Sequence, residues 1–259
     1  MRYQLELFFT ALGFFTRLPV PAWVPWSPQR LTDAGRYLPL VGWVVGAIAA
    51  LGVLGFALIL PPSLAVLLSM ALTVRVTGAF HEDGFADSCD GLGGGWDKEQ
   101  VLAIMKDSRI GSYGAVTLVL VVGLKIALTA LLAERGAALA AIAVLYAHVL
   151  SRAAPLDVMW GLPYIGDADG SKSKPVAESI TRESIWTGLA RALPALGLMW
   201  WALGLWQIAV AIVPWMIALG QMRRLLLRRF DGFTGDTLGA TQQLCELALL
   251  LGVALVVPR

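Results

Sequence analysis

The residues best suited to chemistry concentrate in one acidic segment, which reads HEDGFADSCDGLGGG over residues 81–95. Its carboxylates are Glu82, Asp83, Asp87 and Asp90. On a helix the three aspartates are spaced i, i+4 and i+7, so they share one face and repel each other. No lysine or arginine lies between Arg75 and Lys98 to offset them, and bound cations are the simplest relief. Such hard oxygen ligands predict a site for Mg²⁺, Mn²⁺ or Ca²⁺ at these four residues.

A second polar segment, IMKDSRIGSYGA, follows at residues 104–115. Asp107 adds a fifth carboxylate, and the neighbouring cations Lys106 and Arg109 are suited to holding phosphate oxygens. Ser112 lies where the next apolar helix begins, and a helix N-terminus is itself an anion site. The sequence therefore predicts that phosphate binds beside the metal.

These residue types together favour phosphoryl transfer. Two metal ions about 3.5–4 Å apart can bridge a phosphate and neutralise charge on the transferring and leaving groups. A carboxylate not consumed by metal can take the proton of an attacking hydroxyl. Asp107 and Asp87 are the candidates for this catalytic role, and Asp87 is also a predicted metal ligand. Gly84 and Gly91 leave no side chain beside the acids, so a bulky substrate could approach there. The alternative is a solvated acidic loop that binds nothing.

Polar residues elsewhere add candidates for substrate binding. Asp236 precedes the last apolar helix, and Gln242 and Glu246 lie on its first half. Because polar groups inside a span usually face a cavity, they are predicted to bind substrate, with interhelical hydrogen bonding as the alternative. Arg75 either holds phosphate or pairs with an acid. The segment 166–175, GDADGSKSKP, is hypothesised to be a loop that covers the substrate.

Composition indicates a membrane protein. Hydrophobic residues make up 58% of the chain and charged residues 15%, whereas soluble domains are closer to half apolar and a quarter charged. The net charge of +2 gives no reason to expect a nucleic-acid partner. Cys89 and Cys245 lie far apart, which argues against a disulfide framework. The predicted fold is an all-α, polytopic membrane bundle forming one domain over residues 1–259.

Apolar runs near 20 residues long are interpreted as spanning helices. About seven are expected, after an N-terminal amphipathic helix with Leu5, Phe8, Phe9, Leu12 and Phe15 on one side. The runs are residues 38–60, 63–80, 113–132, 136–151, 185–222 (two helices turning near Gly204) and 237–257. With the N-terminus inside, 15 lysines and arginines fall in inner segments and two in outer ones. By the positive-inside rule this places the acidic segment on the cytoplasmic side.

Several of these segments, in order, resemble one known family. HEDGFADSCDGLGGG and IMKDSRIGSYGA are similar to the signature of adenosylcobinamide-GDP ribazoletransferases, also called cobalamin synthases. Three further stretches are similar to that family's other motifs: FFTRLPVP (14–21), RYLPLVGWVVG (36–46) and GFTGDTLGATQQLCE (232–246). Phe85 stands where leucine is common, but no carboxylate departs from the pattern.

The resemblance implies a reaction. Adenosylcobinamide-GDP would join α-ribazole or its 5′-phosphate to give adenosylcobalamin or its 5′-phosphate, releasing GMP and requiring Mg²⁺. It implies metal binding by the four carboxylates of residues 82–90, a metal-ligand or general-base role for Asp107, and phosphate binding by Lys106 and Arg109. It also implies a bacterial inner-membrane location in contact with lipid. It leaves the oligomeric state open, a homo-oligomer included.

Two other functions compete with this interpretation. A lipid-making CDP-alcohol phosphotransferase shares acidic helices and Mg²⁺ chemistry, but its motif needs Ala-Arg shortly after Asp-Gly, and here Ala86 is followed by Asp87. A divalent-cation transporter usually places its acids at mid-membrane in broken helices. The acids here are predicted at an inner helix end.

Overall fold

The computed structural model describes residues 2–166 and 180–257. The hypothesised covering loop lies, apart from Gly166, outside the described residues. Within them the chain is helical, and the one strand-like pairing is an isolated bridge between Tyr164 and Phe233. The α-helices are α1 (Arg2–Phe15), α2 (Pro28–Ala34), α3 (Leu38–Phe56), α4 (Pro62–Thr77), α5 (Phe80–Gly94), α6 (Lys98–Met105), α7 (Ser112–Arg135), α8 (Ala137–Ser151), α9 (Ala154–Gly161), α10 (Arg182–Leu203), α11 (Leu205–Ala211), α12 (Val213–Phe230) and α13 (Gly235–Val256).

The all-α membrane architecture is confirmed, whereas the count of seven spans is not. Five segments of the described chain are long and apolar enough to cross a membrane: 28–56, 112–135, 137–161, 205–230 and 235–256. The pair α4 and α5 gives a sixth if it is taken as one bent span. The predicted break near Gly204 is present, since this residue has φ +97° between α10 and α11. The helix before the break, α10, is not among the five or six.

A sharp bend of 88° separates α4 from α5. Two consecutive residues produce it, because Gly78 and Ala79 have φ values of +66° and +59°. The left-handed conformation is easy for glycine and costs an alanine roughly 1–2 kcal/mol. The bend turns the acidic helix α5 back against α13 and α7, with which it makes extensive contacts. The site therefore depends on this change of direction.

The amphipathic N-terminal helix is present as α1, but its buried face differs in detail from the prediction. Leu12 and Phe15 are buried as expected, together with Leu7 and Ala11. Leu5 instead has 49% of its surface exposed. The buried positions 7, 11, 12 and 15 are the 3.6-residue spacing of one helical stripe. Both cysteines are free thiols, as predicted.

Candidate functional site

Close contact between α5 and α13 brings acidic residues from two helices together. A Cβ added to Gly84 would lie 2.9 Å from the Cα atom of Asp236, and one added to Gly239 would lie 3.2 Å from the carbonyl oxygen of His81. Real Cβ atoms essentially never approach to the first of these distances, so the helix backbones meet directly there. The first turn of α13 consequently places Asp236 beside the acidic face of α5.

Protein atoms fill the space beside the two glycines that were predicted to admit substrate. The missing side chain of Gly84 is replaced by the backbone of Asp236. A Cβ on Gly91 would lie 2.5 Å from Cγ of Met105 and 2.9 Å from the carbonyl oxygen of Val101. Both glycines are buried. Their physical role is to let α13 and α6 pack against α5, and they offer no opening to a ligand.

Three aspartates form what we term the open carboxylate group: Asp83, Asp87 and Asp236. Asp83 is exposed, and the other two are partly buried. The negative charges of Asp83, Asp236 and Asp90 all act on the Asp87 carboxyl. Within residues 2–166 and 180–257, no three acidic, histidine or cysteine side chains converge tightly enough to enclose an ion. The group is therefore a set of hard oxygen donors with unrelieved repulsion, and its chemistry fits a divalent cation.

Glu82 lies on a different face of α5 from these aspartates. Its Oε1 accepts a hydrogen bond of 3.0 Å from Nε2 of Gln243 on α13. Its Oε2 is buried and has no hydrogen-bond partner among the described residues. A buried carboxylate oxygen without a partner carries a desolvation cost of about 1–3 kcal/mol or more. This orphaned atom also fits a cation or a donor group supplied by a ligand.

Asp90, predicted as a metal ligand, caps a helix. Its Oδ2 accepts from the backbone N–H of Gly111 at 2.7 Å, and its Oδ1 accepts from that of Gly114 at 2.8 Å. These amides lie at the N-terminus of α7, where backbone N–H groups lack helical partners and the helix dipole favours an anion. The protein's own carboxylate therefore occupies the helix terminus that was predicted to bind phosphate.

Asp107 and Arg109 form an exposed ion-paired turn between α6 and α7. Nε and an Nη of Arg109 donate to the Asp107 carboxylate at 2.6–3.1 Å, and the Arg109 backbone N–H donates at 3.0 Å. These hydrogen bonds lower the pKa of Asp107 to about 2. Such a carboxylate is a weak proton acceptor near neutral pH, which argues against the general-base role and favours the alternative of a metal ligand.

An open groove beside this turn brings several predicted residues together. It is lined by Asp90, Asp107, Arg109 and Ser112, along with Tyr113 and neighbouring apolar residues. Lys106 is exposed close to it in sequence. Arg75 lies on α4, is exposed, and makes no hydrogen bond or ion pair with a described residue. The structure thus clusters the 104–115 candidates but gives Arg75 no connection to them.

A buried charge network lies beneath the acidic helix. We define it by Lys125, His148, Arg152, Gln242, Gln243 and Glu246, each at most 7% exposed. Glu246 pairs with Nζ of Lys125 and with Nδ1 of His148 at 3.3 Å, and Arg152 lies 4.0 Å away. Gln242 donates to Glu246 at 2.6 Å, and Lys125 donates to Gln243 at 3.0 Å. Because Gln243 also donates a hydrogen bond to Glu82, the network is connected to the acidic segment.

The structure places Gln242 and Glu246, which were predicted to bind substrate, inside this network. Both side chains are at most 2% exposed and are satisfied by protein partners. Lys125, the partner of Glu246, was not among the predicted site residues. A signal for it existed, because a lone lysine in one apolar span and a lone glutamate in another usually pair. The alternative of interhelical hydrogen bonding is the one the structure supports.

The fold and the site define a multi-pass helical membrane protein that presents an open carboxylate group and a phosphate-suited turn. Residues 7–254 match the family model described as cobalamin-5-phosphate synthase, so the chain belongs to that family. Among its relatives are proteins named adenosylcobinamide-GDP ribazoletransferase. That of Leptothrix cholodnii is 48% identical over 96% of this chain and 95% of its own length. That of Shewanella pealeana is 44% identical over 97% of each chain. No solved structure matches significantly.

Proposed function

We propose that this chain is a ribazoletransferase that completes the nucleotide loop of cobalamin. A hydroxyl of α-ribazole, or of its 5′-phosphate, attacks the phosphorus attached to cobinamide in adenosylcobinamide-GDP. The new O–P bond forms as the P–O bond to GMP breaks, and the hydroxyl proton passes to a base. The products are adenosylcobalamin, or its 5′-phosphate, and GMP. The observation that carries the proposal is the family match over nearly the whole chain.

Mg²⁺ is the proposed cofactor, held by Asp83 and Asp236 of the open carboxylate group with the free Oε2 of Glu82 as a further donor. Hard carboxylate oxygens suit it, and the repulsion around Asp87 is the feature that a cation relieves. When bound, the ion supplies neutralisation of charge on the pyrophosphate. Asp90 is proposed to act from outside this set, because both of its oxygens already accept backbone hydrogen bonds.

The remaining roles follow from which groups are free. Arg109 keeps one Nη without a described hydrogen bond, and with Lys106 and Ser112 it is proposed to hold phosphate in the groove. Asp87 is the proposed proton acceptor, because it is only partly buried and forms no ion pair with a cationic side chain among the described residues. Asp107 is proposed to position Arg109. The protein is further proposed to lie in the bacterial inner membrane with this site facing the cytoplasm.

A direct assay tests the proposal. The purified full chain in liposomes is supplied with adenosylcobinamide-GDP and α-ribazole, with and without Mg²⁺, and GMP release is followed by chromatography. We expect Mg²⁺-dependent turnover that Asp83→Asn lowers at least about 100-fold, in the range of losses for removing a key electrostatic group. Glu99→Gln is the matched control, since it removes one exposed negative charge from the neighbouring helix α6.

The outcomes separate the alternatives. Near-normal turnover by Asp83→Asn would refute the metal assignment while leaving the reaction standing. Product formation from CDP-diacylglycerol would instead support the CDP-alcohol phosphotransferase. Divalent-cation flux into liposomes without any transferase activity would support the transporter.

A further inference from the structure

A long groove separates α12 from α13 on the outer surface of the bundle. Its volume is about 910 Å³. Its walls are mainly apolar, with Ile217 and Leu225 from α12 and Leu244 and Leu251 from α13. The segment 205–230 is the least buried of the candidate spans, with 17% of its apolar window inside the protein. The groove therefore faces the surroundings of the bundle rather than the carboxylate site.

Two arginines stand at one end of this groove without partners among the described residues. Arg224 and Arg228 line it, are exposed, and make no hydrogen bond or ion pair with a described residue. Their neighbours in sequence behave differently. Arg223 pairs with Asp157 at 2.9 Å, and Arg229 donates to the carbonyl oxygen of Gly95 at 2.7 Å. Within the described residues, two of the four arginines thus have protein partners, and the two groove arginines are available to a ligand.

We propose that this groove binds one anionic phospholipid, with an acyl chain between α12 and α13 and the phosphate between Arg224 and Arg228. The two arginines are spaced i, i+4 and so lie on the same helical face. From Pro214 to Arg228 the groove runs for about 21 Å at 1.5 Å per residue, enough to cover one leaflet of a hydrocarbon core about 30 Å thick. Cationic side chains at a helix end are suited to lipid phosphate.

Charge favours lipid over a second copy of the chain as the occupant. The described lining contains two arginines and no acidic residue. A two-fold contact uses the same patch on both copies, so it would add a second arginine pair to the same seam with no carboxylate to offset it. An anionic headgroup supplies the missing charge, and its acyl chain covers the apolar walls.

The test measures which lipid the full-length protein retains. Protein purified in detergent is titrated with phosphatidylglycerol or phosphatidylcholine of the same acyl chains, and bound lipid is counted by native mass spectrometry. We expect one retained phosphatidylglycerol, with the preference falling about fivefold for each of Arg224→Gln and Arg228→Gln. Arg182→Gln, at an exposed arginine of α10 away from the groove, should retain the wild-type preference. Ala218→Trp keeps both arginines but places an indole in the groove, and it should lower the retention of both lipids.

Three results would overturn the proposal. One is equal retention of the two lipids by the wild-type protein. Another is unchanged lipid retention both in the variant that combines Arg224→Gln with Arg228→Gln and in Ala218→Trp, while the thermal unfolding of both variants stays normal. The third is occupation of the groove by something other than lipid. Full displacement of the lipid by inorganic phosphate at matched concentration would assign the groove to a free anion, and a lipid-free dimer would assign it to a second copy.

Discussion

Changing one charge of the buried charge network should destabilise the protein more than changing two. The charges that meet there are positive on Lys125 and Arg152 and negative on Glu82 and Glu246, so they cancel. Lys125→Met removes a cation and leaves an excess negative charge. Glu246→Gln removes an anion and leaves Lys125 and Arg152 facing Glu82 alone. The double variant restores neutrality with side chains of similar size.

The expected magnitudes follow from burial. Lys125 and Glu246 are 1% and 2% exposed, and removing one partner of a buried pair typically costs about 3–5 kcal/mol. The cost of Lys125→Met should fall at the lower end of this range, because Gln242 still donates to Glu246 and Arg152 still lies close to it. A change of that size in a domain near this length lowers Tm by about 6–20 °C. The double variant should lose less than either single one, since apolar replacement of a whole buried pair is often neutral.

The assay uses the buried thiol of Cys245, which adjoins Glu246 and has no exposed surface. In a Cys89→Ala background, its reaction with a maleimide dye reports unfolding of the full chain in detergent during a thermal ramp. Glu134→Gln, at an exposed position on α7, is the control and should shift Tm little. A double variant whose loss equals the sum of the single losses would refute the reasoning, because it would show that the two charges do not depend on each other.

Three further predictions follow from single contacts. Gly84→Ala should lower stability by about 1–3 kcal/mol and lower GMP release, because its Cβ would meet the Asp236 backbone; Gly123→Ala, which meets nothing within 4 Å, is the control in the same thermal assay. Asp90→Ala should cost about 0.5–2 kcal/mol as a lost cap, seen as faster hydrogen exchange confined to the first turn of α7; unchanged exchange there would contradict the capping role. Arg109→Gln should raise the pKa of Asp107 from about 2 toward its ordinary value, because the ionised form loses its guanidinium donors and keeps only the backbone N–H; carboxyl ¹³C shifts that still titrate near 2 would show that the Arg109 side chain is not the cause.

The helices could be predicted from the sequence, but the faces on which their side chains lie could not. Apolar length located the spans because it depends on local composition. The α4–α5 bend was missed, since Ala79 gives no local signal for a left-handed conformation that tertiary packing imposes. The contacts of Gln242 and Glu246 were not foreseen, because their partners are more than 90 residues away in sequence. Gln242 donates to Ser151, and Glu246 pairs with Lys125 and Arg152. Pairing at that distance is set by how helices stack, which no local pattern contains.

The acidic helix shows why four neighbouring carboxylates need not do one job. Successive residues of a helix point about 100° apart, so the side chains of Glu82 and Asp83 lie on different faces of α5 although the residues are adjacent in sequence. One oxygen of Glu82 accepts from Gln243, and both oxygens of Asp90 accept from the amides at the start of α7. Among the described residues, Asp83 and Asp87 have no such donors, and α13 adds Asp236 to them. A cation is therefore expected where carboxylates lack hydrogen-bond donors rather than where carboxylates are most numerous in the sequence. Exchange of Asp236 for asparagine should weaken Mn²⁺ binding more than the same exchange at Asp90, as measured by electron paramagnetic resonance. The opposite order would return Asp90 to the metal site.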